Sequence, residues 1–195
     1  MNTYTEIVYE NPRTNYSDVK SFNGSTYVVS DLYDRMLGLK LKGVRKIYVR
    51  LSEEHVDTKV YGPEQISPMV WIDTYFDLQK HQSLTKLKRR ANILETLYKA
   101  LQAMCTQLNY DCQPFHQAYE KVKELDYQNE YIHDKLKAAP DHQHKAAVYI
   151  RVEEEYAEIS ALIQDKDGNE TAKIPLIRTL PHYMFIYKFI HTTKW

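Results

Sequence analysis

The stretch from Ser83 to Lys137 constrains this chain more than any other, because helical periodicity runs through two consecutive segments with one break between them. Leu84, Leu87, Ala91, Leu94, Tyr98, Leu101, Cys105 and Leu108 recur at three- and four-residue steps, which places them on one helical face. Ile93, Leu97 and Met104 widen that face on one side. Ser83 is the expected N-cap, since its hydroxyl can accept from an orphan amide of the first turn. Asn109-Tyr110-Asp111 breaks the pattern, and Pro114 then stands where a first helical residue tolerates proline. Phe115, Ala118, Tyr119, Val122, Leu125, Ile132 and Leu136 carry the spacing on toward Pro140. So short a connection predicts a long antiparallel helical hairpin over about 83–137.

Strand-like sequence flanks this hairpin. On the N-terminal side, Thr5 to Tyr9 reads as a short strand closed by Asn11-Pro12. Arg13 to Ser25 reads as loop, with Asn23-Gly24-Ser25 as its turn. Thr26 to Val29 leads to a capping pair, Ser30-Asp31, and a short helix ending near Gly38. Val44 to Leu51 is the best strand of this half, with Val56 to Tyr61 as its expected partner. Met69 to Ile72 opens an apolar run that fits helix or strand. On the C-terminal side, Ala146–Val152, Ala157–Ile163, Lys173–Arg178 and a final run, Tyr183–Ile190, read as an antiparallel meander. Pro175 lacks an amide and pushes its strand toward an edge or a bulge. The expectation is an α+β fold with a mostly antiparallel sheet. It forms one domain over 1–195: strand-rich 1–80, the hairpin 83–137 and antiparallel strands 146–191.

Composition narrows the partners. A formal net charge of +0, with 27% charged residues, gives no long-range pull on polyanions or membranes. No apolar run approaches the ~20 residues of a bilayer span, and Met1 to Glu6 show no secretory signal, so a cytoplasmic protein is expected. Cys105 and Cys112 flank the helical turn and could approach each other. They are expected to be one core thiol and one loop thiol in a reducing compartment. Seventeen tyrosines against five phenylalanines suit half-buried positions and interfaces, although they can also simply replace phenylalanine. None of the five glycines stands in a phosphate-cradling pattern.

The candidate chemistries fail one by one. Asp165 to Glu170 begins like a calcium loop, but Glu170 replaces the required glycine and Leu176 the final glutamate, which leaves a hairpin turn. His133-Asp134-Lys135 shares the His-x-Lys core of phospholipase-D-type phosphodiesterases. Its downstream aspartate, Asp141, is out of register, and the triplet falls in the expected helix. His142 and His144, with His133 or Asp141, fall short of a zinc set without nearby cysteines. His116 reads as a surface residue of the second helix. Glu153-Glu154-Glu155 alternate across an expected strand and do not converge with Glu158 on one metal. No serine or cysteine occupies a nucleophile elbow. No catalytic, cofactor-binding or metal-binding residue is predicted, and no cofactor.

The remaining feature is basic. Lys80, Lys86, Lys88, Arg89, Arg90 and Lys99 meet one acid, Glu95, between Gln79 and Lys99. Such a stripe could contact phosphates or a partner through Lys86, Arg89, Arg90 and Lys99, while solubility alone would also place it on the polar side of a helix. The leading expectation is a non-enzymatic protein–protein interaction protein. It would be either a small neutralising (immunity- or inhibitor-like) partner or a subunit of a larger assembly such as a phage or secretion particle. It would grip through a tyrosine-bearing sheet face or the hairpin's charged side, with a homo-oligomer as one possible form. The alternatives are a nucleic-acid-binding protein using the basic face of the 83–108 helix, and an enzyme whose site is assembled from dispersed residues.

Overall fold

The computed structural model describes residues 3–10, 19–55, 57–63, 67–133, 136–139 and 143–190. The expectations placed on Asn11, Pro12, 13–18, Val56, Asp134, Lys135, Pro140, Asp141 and His142 fall outside them. The fold is α+β, and its contacts divide it into two compact units, Met1–Gln128 and Asn129–Trp195.

The first unit runs β1 (Tyr4–Tyr9), α1 (Lys20–Leu37), β2 (Lys46–Ser52), β3 (Lys59–Tyr61), β4 (Met69–Tyr75), α2 (Leu78–Gln82), α3 (Lys86–Leu108) and α4 (Gln113–Glu124). Its sheet has the order β1-β2-β4-β3. β1, β2 and β4 are parallel, and only β3 is antiparallel, pairing β4 instead of the expected β2. A mostly antiparallel sheet is therefore wrong for this unit. The cause is α1, whose 18 residues carry the chain back so that β2 starts beside the start of β1.

The sequence showed only the last turns of α1. Its buried side includes Gly24 and Ser25, which read as turn residues, and Thr26, between Phe22 and Val28, Val29, Leu32 and Tyr33. Their hydroxyls are satisfied inside the helix: Ser25 Oγ donates to Phe22 O (2.9 Å) and Thr26 Oγ1 to Asn23 O (2.9 Å). Gly38, at φ 53°, ends the helix as expected. Just before it, the Asp34 carboxylate accepts from Thr5 N and Thr5 Oγ1, and Leu39 O accepts from Thr3 N, so the end of α1 covers the outer edge of β1.

Two consecutive helices do follow β4, but the long hairpin is not what forms. Ser83 is the C-cap of α2, and Thr85 stands at the N-cap of α3. The buried stripe of α3 is Arg90, Ile93, Leu94, Leu97, Ala100, Leu101, Met104 and Cys105, rotated from the expected face so that Leu87 is 54% exposed. α4 stops at Glu124, because Asp126 and Tyr127 take left-handed conformations (φ 48° and 57°). Its main neighbour is α1, with α3 second. Phe115, Ala118, Tyr119 and Val122 close a core shared with α1, α3 and one face of the sheet.

The second unit runs β5 (Asn129–Ile132), β6 (Lys137–Ala138), β7 (His144–Val152), β8 (Ala157–Asp165), β9 (Glu170–Thr179) and α5 (Tyr183–Ile190). Here the sheet is antiparallel, ordered β5-β7-β8-β9 with β6 on β7, so the expected meander holds through β9. β9 lies at an edge, as Pro175 demanded, with register shifts on either side of the stretch that pairs Pro175 with Ser160. The Asp165–Asn169 turn is a hairpin, closed by Asp167 N and Asn169 N donating to Asp165 Oδ1.

Three further expectations in this unit are corrected. Tyr183–Ile190 is a helix, in which Ile186 and Ile190 bury one side at an i,i+4 spacing. Glu153 to Glu155 lie in the tight β7–β8 turn, where Glu153 N donates to Tyr156 O and Glu153 pairs with Arg151. His133 follows β5 and is not helical. Among the described residues no helix is long and apolar enough to cross a membrane.

Candidate functional site

Alternation along β1, β2 and β4 sends Ile7, Ile47, Val49, Leu51, Val70 and Ile72 into the helix-covered core. The intervening residues therefore share the opposite face, away from the core that the described helices of this unit build. Register aligns them in rows across the sheet: Tyr4, Lys46 and Met69; then Glu6, Tyr48, Trp71 and Tyr61; then Val8, Arg50, Asp73 and Lys59; with Ser52 and Tyr75 beyond.

The second row is an aromatic stripe. Tyr48 stacks on Trp71 with centroids 4.6 Å apart and planes 18° apart, and Tyr61 faces Trp71 from β3. Cations flank the stripe: Lys46 Nζ lies 3.7 Å from the Tyr48 centroid, and the Arg50 guanidinium lies 5.1 Å from that of Trp71. Carboxylates hold both cations. Glu6 pairs with Lys46 and accepts from Tyr48 Oη (3.0 Å), while Asp73 takes a two-pronged bond from Arg50 (2.6 and 2.9 Å). Burial would lower the Lys46 ammonium, but Glu6 and Tyr48 outweigh it and hold it above its ordinary value. The rim is tyrosine: Tyr4, Tyr61 and Tyr75 are 37%, 46% and 52% exposed. The result is a rigid, nearly neutral surface of aromatic rings set among internally paired charges.

The basic residues singled out in the sequence do not converge. Arg90 is buried and donates to Tyr127 O (3.2 Å), and Arg89 is half-buried and donates to Leu84 O (2.9 Å). Lys86 and Lys99 are exposed, but thirteen helical steps separate them by about 20 Å along the axis and roughly 140° around it.

One constellation that the sequence did not reveal has the look of a catalytic triad. His81 Nε2 is 3.1 Å from Ser25 Oγ, and His81 Nδ1 is 2.9 Å from Asn92 Oδ1. Its chemistry is closed off. Ser25 and His81 are fully buried, and the Ser25 proton goes to main-chain carbonyls of the preceding turn. Burial depresses the imidazole below its ordinary value against the Asn92 bond, with the nearby Arg89 charge adding to the depression. The three residues tie α1 and α2 to α3 as a neutral polar bridge inside the core.

Elsewhere, Tyr98, His116, Tyr119 and Glu95 form a polar aromatic cluster along α3 and α4. Tyr98 stacks on Tyr119 at 4.3 Å, and Tyr98 Oη lies 2.9 Å from His116 Nδ1. Burial, and then the Glu95 carboxylate to which it donates, raise the Tyr119 phenol. Among the described residues no group of three or more His, Cys, Asp or Glu side chains could hold a metal ion. Comparison with known proteins returns no significant match to any family model, curated protein or solved structure.

Proposed function

We propose that this chain is a non-catalytic protein–protein interaction protein and that the open face of its first sheet is the gripping surface. A small neutralising partner and a subunit of a larger assembly are the two biological forms that fit such a surface. The observation that carries the reading is a mostly parallel sheet whose core, built with the described helices of its own unit, lies on one face. Parallel sheets are ordinarily covered on both sides, so the face turned away from this core is the place for another layer. What lies on that side has the composition of an interface centre: Trp, Tyr and Arg, with Lys46 already paired to Glu6 and Arg50 to Asp73, so that docking leaves neither of these cations unpartnered. Nucleic-acid binding through the first turns of α3 is less well supported, because Arg89 and Arg90 are bonded to main-chain carbonyls of the fold.

The test is affinity capture from the native host with the wild-type chain and with a Tyr61→Ala/Trp71→Ala variant, alongside a low-salt gel shift with single- and double-stranded nucleic acid. The reading expects a protein retained by the wild type and lost with the variant, while a Lys86→Glu/Lys99→Glu variant still retains it. Capture indifferent to Tyr61 and Trp71, or a gel shift abolished by the lysine reversals, would overturn it.

A further inference from the structure

The second unit leaves an unusual amount of apolar surface in one stretch of chain. Of the thirteen large apolar or aromatic side chains that lie exposed among the described residues, seven fall between Ile174 and Tyr187, each 41% to 58% exposed. Ile174 and Leu176 belong to β9, Leu180 follows its end, and Tyr183 opens α5. That helix has one charged residue in eight, Lys188. Ile186 and Ile190 turn one side of it inward, and Tyr187 meets His133 edge-on at 5.9 Å, so α5 is seated on its own unit. Met184 and Lys188 stand on the outward side, roughly 160° around from the buried pair, with Phe185 beside them. A surface helix is ordinarily polar there, and one that stays apolar all round belongs under cover. Seven side chains of about 200 Å², each about half exposed, leave on the order of 700 Å² of mostly apolar surface in water. That exceeds the roughly 300–600 Å² of the largest patch on a typical monomer, and it approaches the ~800 Å² that one partner brings to a stable interface.

Charge decides what covers it. No Asp or Glu occurs from Thr171 to Ile190, and two of the three cations in that stretch are answered inside the unit. Glu158 pairs with Arg178 at 2.9 Å, and Glu170 with Lys173 at 3.8 Å. An anionic lipid surface draws on a cluster of cations that are not already paired at home. A second copy of the chain asks for apolar area alone, and homodimer interfaces are the more apolar class. We propose that β9 and α5 form the two-fold interface of a homodimer. Two α5 helices that cross antiparallel at their midpoints set each Lys188 level with Phe185 of the partner subunit. The ammonium then meets a ring and not a second ammonium.

The experiment is analytical ultracentrifugation of the intact 195-residue chain over about 1 to 100 μM. The wild type should sediment at twice the chain mass of 23.1 kDa. Met184→Asp and, separately, Leu180→Asp alter exposed positions, so both should keep the wild-type circular dichroism. Each should raise the dimer dissociation constant by about 30-fold or more. Tyr61→Ala/Trp71→Ala, on the other sheet, should leave the dimer intact. A wild type that stays monomeric at the highest concentration, a dimer that tolerates both aspartates, or one lost with Tyr61→Ala/Trp71→Ala would each overturn the proposal. So would a monomeric wild type that co-sediments with phosphatidylserine vesicles and loses this with Met184→Asp, because the cover would then be lipid.

Discussion

At the scale of single residues, two titratable groups pull the pH dependence of stability in opposite directions. His81 is held below its ordinary value of 6.5, so its contribution is complete above that pH and is lost as the medium is acidified and the unfolded chain takes up the proton first. Urea unfolding between pH 7.5 and 5 should show the wild type losing more stability than His81→Gln, and parallel profiles would contradict this. Asp34 behaves the other way. Burial pushes its carboxyl from 3.8 up to about 7, against the bonds from Thr5 that favour the ionised form. Its contribution is therefore complete at low pH and declines as pH rises through about 7. The stability gap between wild type and Asp34→Asn should accordingly narrow from pH 4 to pH 8 in the same assay. Neither residue announced itself in the sequence, because Ser25, His81 and Asn92 lie far apart along the chain. Arg90 was legible and was misread: it stands three residues before Ile93 and seven before Leu97, a spacing that assigns it to the buried stripe and not to a phosphate clamp.

At the scale of elements, local signals that rest on one residue were readable. Pro114 opens α4, Gly38 closes α1, and Pro175 sits on an edge strand. Gly38 lies at φ 53° with nothing within 4 Å of where a Cβ would be, so Gly38→Ala should cost about 1 kcal/mol of backbone strain alone, read by urea denaturation. Periodicity was less dependable where it ran past a helix end. Leu125 continues the apolar spacing of α4 but is 44% exposed beyond it, whereas Leu97 is in the core. Leu97→Ala should therefore lose about 3 kcal/mol and Leu125→Ala less than about 0.5 kcal/mol. A long hairpin with Leu125 in its seam would make both costs large. α1 was half-hidden because Asn23, Gly24 and Ser25 imitate a turn until the Ser25 hydroxyl is seen bonding back within the helix. α5 was read as a strand because eight residues, apolar but for Lys188, have no period to tell the two apart.

At the scale of the whole molecule, the α+β class followed from strand-like sequence on both sides of a helical stretch, but strand direction depended on one long helix that the sequence concealed. Without α1 the first half reads as antiparallel, and without its parallel sheet the face turned away from the core has no significance. The tyrosine excess was visible from composition; that Tyr4, Tyr48, Tyr61 and Tyr75 join Trp71 on one face needed the register. The claim that this face is a contact surface is tested most directly by hydrogen–deuterium exchange on the chain alone and bound to the protein it captures. The account predicts slowed exchange in peptides covering 46–52, 59–61 and 69–75, with those of the first turns of α3 unchanged. Protection confined to the start of α3, or to β9 and α5, with the sheet peptides unaltered, would contradict it.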